Sequence, residues 1–238
     1  MKQFYKNDNE KKLFVKEMFN DISSRYNLLN RLLSFGIDQY WRNRFIKKIN
    51  IQNNMNILDV ATGTGDIVKH IIGSYNVNIT GIDISDKMIE IARSKIKSNT
   101  SDLKWDIGDA ENLPYPDSSF DIITISFGFR NFANFDKALL ELNRVLKDGG
   151  KLAILEFSKP NNLFINSVFN FYFHYILPRV ASIFSKNYAY RYLPESVENF
   201  ISRSEICHKI NSAGFKNVFY QDLSFGISTI FIGDICNE

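Results

Sequence analysis

Gly63 and Gly65 close the run Asn56-Ile57-Leu58-Asp59-Val60-Ala61-Thr62-Gly63-Thr64-Gly65-Asp66. Its apolar part is too short for a helix of its own. An apolar run that stops at Gly-x-Gly and then enters a helical pattern is how a parallel α/β sheet opens its first ligand crevice. The glycines let the backbone turn sharply and approach a ligand with no Cβ in the way. The amides beyond them face a helix N-terminus, which favours an electronegative or carboxylate-bearing ligand. Where the dinucleotide fingerprint needs a third glycine, this chain has Asp66-Ile67-Val68, which argues against NAD or FAD.

Further along, the apolar segment Val77–Ile82 ends in Asp83. A carboxylate at the tip of a second strand is placed to accept hydrogen bonds from both hydroxyls of a ribose. A nucleoside with no pyrophosphate to cradle suggests S-adenosylmethionine. Asp109 and Ala110 follow a third apolar run, Leu103–Ile107, where the carboxylate can meet an adenine amino group and the Ala110 amide a ring nitrogen. Arg130 and Asn131 follow the buried run Phe120–Phe127, displayed where ligands bind in such sheets. Arginine stays protonated, so its role there is electrostatic or through a water rather than that of a base itself. Tyr26 and Asn30, four apart, share one helix face. His70, His174 and His208 are scattered, and no metal site is expected. No Gly-x-Ser-x-Gly elbow and no Gly-Lys-Ser/Thr phosphate loop occurs.

These residues need a frame of alternating strands and helices. Residues 10–50 read as three helices, with Gly36 ending the second and Trp41, Phe45 and Ile49 stepping along the third. A crossover helix is expected over Ile67–Tyr75, and Ser85 offers an N-cap to the next one. Phe135–Leu146 is amphipathic and is expected to close through Lys147-Asp148-Gly149-Gly150, before strand five at Lys151–Phe157. A helix is expected over Glu195–Ala213, then two neighbouring strands, Val218–Leu223 and Ile227–Ile235. The fold class is α/β: a Rossmann-like doubly wound sheet, mostly parallel with an antiparallel terminal strand, preceded by N-terminal helices. The 238 residues are read as one domain. Residues 1–50 form a helical cover, 51–160 the cofactor-binding core, 161–194 an apolar substrate-covering insert, and 195–238 the terminal helix and strand pair.

A content of 45% hydrophobic and 23% charged residues is that of a globular protein. Cys207 and Cys236 have no metal-like spacing, and the first residues contain no apolar signal region, so a cytoplasmic location is expected. Residues 1–50 hold 11 Lys+Arg against 5 Asp+Glu, a basic segment suited to anionic lipid or nucleic acid, or to a solvated helix face. The Phe-rich stretch Leu163–Phe184 is nearly long enough to span a bilayer, but Asn166, Asn170, His174, Pro178 and Arg179 interrupt it. It is read as a cover, an apolar wall for a hydrocarbon substrate or an interfacial contact rather than a span.

The glycine run resembles that of class I S-adenosylmethionine methyltransferases. The resemblance narrows at Arg25–Asn30, Leu33–Gly36 with Trp41-Arg42, Ile125–Asn131, Leu155–Pro160 and Arg191–Ser196. These look like the UbiE/MenG/COQ5 family, which C-methylates polyprenylated quinols in menaquinone and ubiquinone synthesis. The chain departs from the family at Thr62, where a glycine is usual. The resemblance implies S-adenosylmethionine contacts at Gly63, Thr64, Gly65, Asp83, Asp109, Ala110 and Ser126. It supports a phenolate-stabilising Arg130, with Asn131 and Tyr26 orienting the ring or a water. It implies demethylmenaquinol as substrate, with the methoxylated benzoquinol, or both, as the alternative. Peripheral contact at the inner face of the membrane is expected without a span, and a homo-oligomer is left open. A nucleic-acid methyltransferase is the remote alternative: the Asp/Asn-Pro-Pro-aromatic run is missing after strand four, and no cysteine lies near the crevice, so no nucleic-acid partner is expected.

Overall fold

A computed structural model describes residues 4–97, 102–176, 179 and 189–236. Three helices come first. Helix α1 (Asp8–Ile22) begins at Asn7, whose side chain accepts the Glu10 amide. Helices α2 (Tyr26–Leu33) and α3 (Ile37–Ile49) meet at Gly36, whose φ of 77° makes the turn between them. Then β1 (Asn56–Val60), α4 (Asp66–Ile72), β2 (Asn78–Asp83), α5 (Asp86–Lys95) and β3 (Leu103–Ile107) build the first half of the sheet. Strand β4 (Phe120–Ser126), α6 (Phe135–Val145) and β5 (Leu146–Phe157) build the second. Helix α7 (Leu163–Phe171), continued by one wider turn at Tyr172–Ile176, opens the insert, and α8 (Ala189–Glu198) ends it. Helix α9 (Arg203–Ser212) and strands β6 (Lys216–Leu223) and β7 (Ser228–Asp234) complete the chain.

The seven strands lie in the order β3-β2-β1-β4-β5-β7-β6. The first five are parallel; β7 is antiparallel to both β5 and β6. The chain reverses direction across the sheet between β1 and β4, and the crevice outside the carboxyl ends of the strands opens there. Apolar layers cover both faces. Trp41, Phe45 and Ile49 of α3 pack with Ile67, Ile71, Ile89 and Trp105 on one face. Leu139, Leu142, Ile206, Ile210 and Phe215 fill the other. The strands between them are nearly continuous apolar runs because they are buried on both sides.

Two expected elements differ. The helix expected over Glu195–Ala213 is two helices, broken at residues 199–202. Ser202 starts α9 with a capping box, its hydroxyl accepting the Glu205 amide while the Glu205 carboxylate takes the Ser202 amide. Helix α6 ends at Val145, before the glycines, and Gly149 and Gly150 lie inside an early-starting β5. Leu146 already pairs with Phe120 of β4, so sheet pairing takes over the backbone that a helix cap would have used. No described helix is long and apolar enough to cross a membrane. Of the insert 161–194, residues 177–178 and 180–188 lie outside the described residues.

Candidate active site

A cleft lies over the carboxyl ends of β1 to β4. Four strand ends furnish it. Ala61 and Gly63 come from the turn after β1, Asp83 and Ile84 from β2, Gly108 to Glu111 from β3, and Ser126 to Gly128 with Asn131 from β4. Val15 and Phe19 of α1 and Tyr26 of α2 close it from above.

The turns after β1 and β4 are held in an uncommon backbone shape. Ala61 and Phe127, each the first residue beyond its strand, have φ of 53° and 57°. That left-handed conformation costs a side-chain-bearing residue about 1–3 kcal/mol and persists only where its surroundings enforce it. Gly128 explains the enforcement: a Cβ there would lie 2.5 Å from the Ala61 Cβ, so the two turns touch. Phe127 is also wedged between Trp41 and Phe157, with the Arg42 guanidinium over its ring.

The glycines of the first turn divide their work. Gly63 lines the cleft with φ of 56°. Gly65 does not line it; a Cβ there would lie 2.5 Å from Ile96 and 2.6 Å from Trp105. Gly65 therefore serves the packing of Trp105 under the turn, which Gly81 also makes room for. Thr62 donates to Asp59 at 2.6 Å, and Thr124 donates to the other oxygen of that carboxylate at 2.6 Å. Burial lifts Asp59 to about 6, and these two hydrogen bonds oppose the rise. Thr62 thus satisfies a buried acid that a glycine could not. Thr64 is buried beside the cleft and donates to Asn27 of α2.

Asp83 takes the Gly63 amide on one oxygen and the Ser85 amide on the other, both at 2.8 Å. Burial still raises it to about 6. It fixes the glycine turn and faces the cleft. Asp109 also faces the cleft, with Lys12 of α1 at 2.6 Å. Lys12 reaches Glu111 as well, at 2.7 Å, and the other oxygen of Glu111 takes the amides of Ala133 and Asn134. Two carboxylates spaced around an apolar slot of Ile84, Met88 and Ala110 are the donor-accepting set that a nucleoside needs, so the residues present fit S-adenosylmethionine. Among the described residues, no group of three His, Cys, Asp or Glu is arranged to hold a metal ion.

Arg130 and Asn131 diverge. Asn131 and Tyr26 line the cleft. Arg130 lies behind it: Nη1 donates to Glu156 at 2.7 Å and to the Phe127 carbonyl, and Nε donates to Ser196. Glu156 is fully buried and also takes the Arg130 amide. The phenolate-stabilising role expected of Arg130 is therefore not a direct contact in this geometry: its guanidinium is held in a buried ion pair that fixes the Phe127–Asn131 turn. Burial raises the Tyr26 phenol above its ordinary range, against the pull of Arg42, Asn30 and Arg130.

Sequence reading missed Lys12, Asn27, Glu111 and Phe127. The signal for Lys12 was weak: it sits in a basic helix, and only the fold brings it to Asp109. Glu111, two residues past Asp109, was visible but had no reason to be singled out.

Sheet order, crevice position and cleft chemistry together define a class I S-adenosylmethionine-dependent methyltransferase. The ubiE/COQ5 methyltransferase family matches residues 5–234, and the chain belongs to it. It is 43% identical to the ubiquinone/menaquinone biosynthesis C-methyltransferase UbiE of Geotalea daltonii, covering 92% of this chain and 95% of that one. It is 43% identical to the demethylmenaquinone methyltransferase of Thermus thermophilus, covering 91% and 99%. Among solved structures, an S-adenosylmethionine-dependent methyltransferase from Aquifex aeolicus superposes with a TM-score of 0.60 at 21% identity, over 82% of this chain and 89% of that one. That likeness carries the fold alone.

Proposed function

We propose that this enzyme C-methylates the ring of a reduced polyprenylated quinol, with demethylmenaquinol as its substrate. One observation supports the reading above the others. The cleft holds two carboxylates suited to a nucleoside, while its β4 end offers a hydroxyl and an amide, joined by a phenol from α2, among aromatic surfaces and with no charged side chain in its lining. Such an end suits a flat, electron-rich ring rather than a charged acceptor. The names of relatives at over 40% identity agree with it.

When bound, S-adenosylmethionine supplies a methyl group already activated by a sulfonium. Asp83 accepts the ribose hydroxyls, and Asp109 with the Ala110 amide meets the adenine edge. The backbone at Gly63 and the side chains of Thr64 and Ser126 border the amino-acid end, with Gly65 keeping the turn tight. Asn131 and Tyr26 orient the ring, or a water that takes its proton, in line with the methyl group. Orientation alone can lower such a barrier by up to ~7–11 kcal/mol. Arg130 acts from one layer behind, fixing the turn that carries Asn131 and adding positive potential only to the extent that Glu156 leaves it. The prenyl tail follows α7, on which Leu163, Phe164, Val168 and Phe171 stand exposed. An apolar face of that size suits a tail or the surface of the membrane that holds it.

The test is methyl transfer from labelled S-adenosylmethionine to a reduced naphthoquinol and a methoxylated benzoquinol, offered side by side. Label in the naphthoquinol is expected. Label in the benzoquinol alone would move the enzyme to the ubiquinone branch, and label in neither would sink the reading.

A further inference from the structure

Helix α8 grips the Arg130–Asn131 turn with two residues of one face. Tyr192 and Ser196, four apart, are each only 2% exposed. The Tyr192 hydroxyl donates to Asn131 Oδ1 at 3.2 Å, and the Ser196 hydroxyl accepts from Arg130 Nε at 3.3 Å. One turn of helix thus reads two consecutive residues of the site. With its oxygen turned to Tyr192, the amide of Asn131 has its Nδ2–H group to offer the cleft. Burial lifts the Tyr192 phenol well above its usual range, so it stays a protonated donor at any physiological pH. Tyr192 is itself seated against Phe4 and Phe14, which places its hydroxyl with little freedom.

We infer that Tyr192 is a positioning residue of the methyl-transfer site: it fixes the Asn131 amide with its N–H donor toward the substrate oxygen, and Ser196 steadies the neighbouring Arg130. A donor fixed in advance strengthens as charge develops on the ring oxygen and needs no reorganisation at that moment. Substrate recognition also becomes conditional on the docking of α8, because an undocked α8 leaves the amide free to turn its acceptor to the cleft. The inference rests on Asn131 facing the substrate, as proposed above.

Tyr192→Phe removes the hydroxyl and keeps the ring packing. It should lower kcat by roughly ten-fold or more, with S-adenosylmethionine affinity changed by less than about two-fold. In an Asn131→Ala background the same change should cost nothing, because the group it orients is gone. Equal losses in both backgrounds would overturn the inference. A readout independent of turnover is the side-chain amide of Asn131 in ¹⁵N NMR, assigned through Asn131→Ala. Tyr192→Phe should shift that signal, and an unmoved signal would overturn the positioning role. If the native enzyme methylates no quinol, the substrate reading fails while the amide signal still decides the role of Tyr192.

Discussion

Asp83 is a carboxylate kept where its charge is disfavoured, and its pH behaviour follows from that. Burial raises it to about 6, so the empty protein gains stability from this group as pH falls from 6 toward the unfolded-chain value of ~3.9, and loses it as pH rises through 6. Ribose hydroxyls donating to the carboxylate, as proposed above, would favour its ionised form. S-adenosylmethionine should therefore bind more weakly as pH drops through about 6, with proton release on binding, which calorimetry in buffers of differing ionisation enthalpy can measure. Asp83→Asn should bind weakly at every pH and flatten the profile. Arg130 and Glu156 make a second case at this scale. Arg130→Ala leaves a fully buried carboxylate without its partner and should destabilise the fold by about 3–5 kcal/mol. Replacing both, Arg130→Met with Glu156→Leu, should recover much of that loss in denaturant titration. Turnover should not recover with it, because the Phe127 carbonyl and the Asn131 turn lose their anchor.

Helix α1 is tied across the site rather than merely laid upon it. Lys12 bridges to Asp109 and Glu111, and the neighbouring Lys11 donates to the Phe132 carbonyl between the rings of Tyr5 and Phe135. Burial lowers Lys11 to about 8. At its other end, Asn20 bonds both Ser85 and Asp86 at the start of α5. Lys12→Met should loosen the near end by about 1 kcal/mol, seen as amide exchange over residues 8–22 roughly five-fold faster, with the exchange of β1 and β4 unchanged. At this scale the sequence was legible where chemistry and periodicity agreed. The Ser85 cap and the span of β3 were readable, since a capping side chain and an apolar run are local facts. The break between α8 and α9 was not, because apolar residues on both sides kept a helical rhythm across residues 199–202. Gly149-Gly150 read as a helix stop, yet the long-range pairing of Leu146 with Phe120 decided their conformation. For the site, the strand-end carboxylates followed from topology, whereas the ion pair that withdraws Arg130 depends on a partner 26 residues away.

Over the whole molecule, the apolar surface is unevenly spread. Leu163 and Phe164 are 86% and 77% exposed, Phe35 is 79% exposed and contacts Tyr172, and Phe225 is 80% exposed. Arg203 donates to the carbonyls of Lys159, shortly before α7, and of Gly226, next to Phe225. If this side meets a membrane, the protein should sediment with anionic vesicles, and Phe164→Asp with Phe225→Asp should abolish that without altering the circular dichroism spectrum. The placement of the two tryptophans has a different consequence, an optical one. The chain has only Trp41 and Trp105. Trp105 lies beneath the first glycine turn, and Trp41 packs on Phe127 at the β4 end. The enzyme thus carries one native fluorophore behind each of two turns that border its cleft. With Trp41→Phe the remaining emission should report on the first glycine turn, the nucleoside end proposed above, and with Trp105→Phe on the Phe127 turn, the proposed ring end. The order in which the two ligands arrive can then be followed by intrinsic light alone, with no label on either.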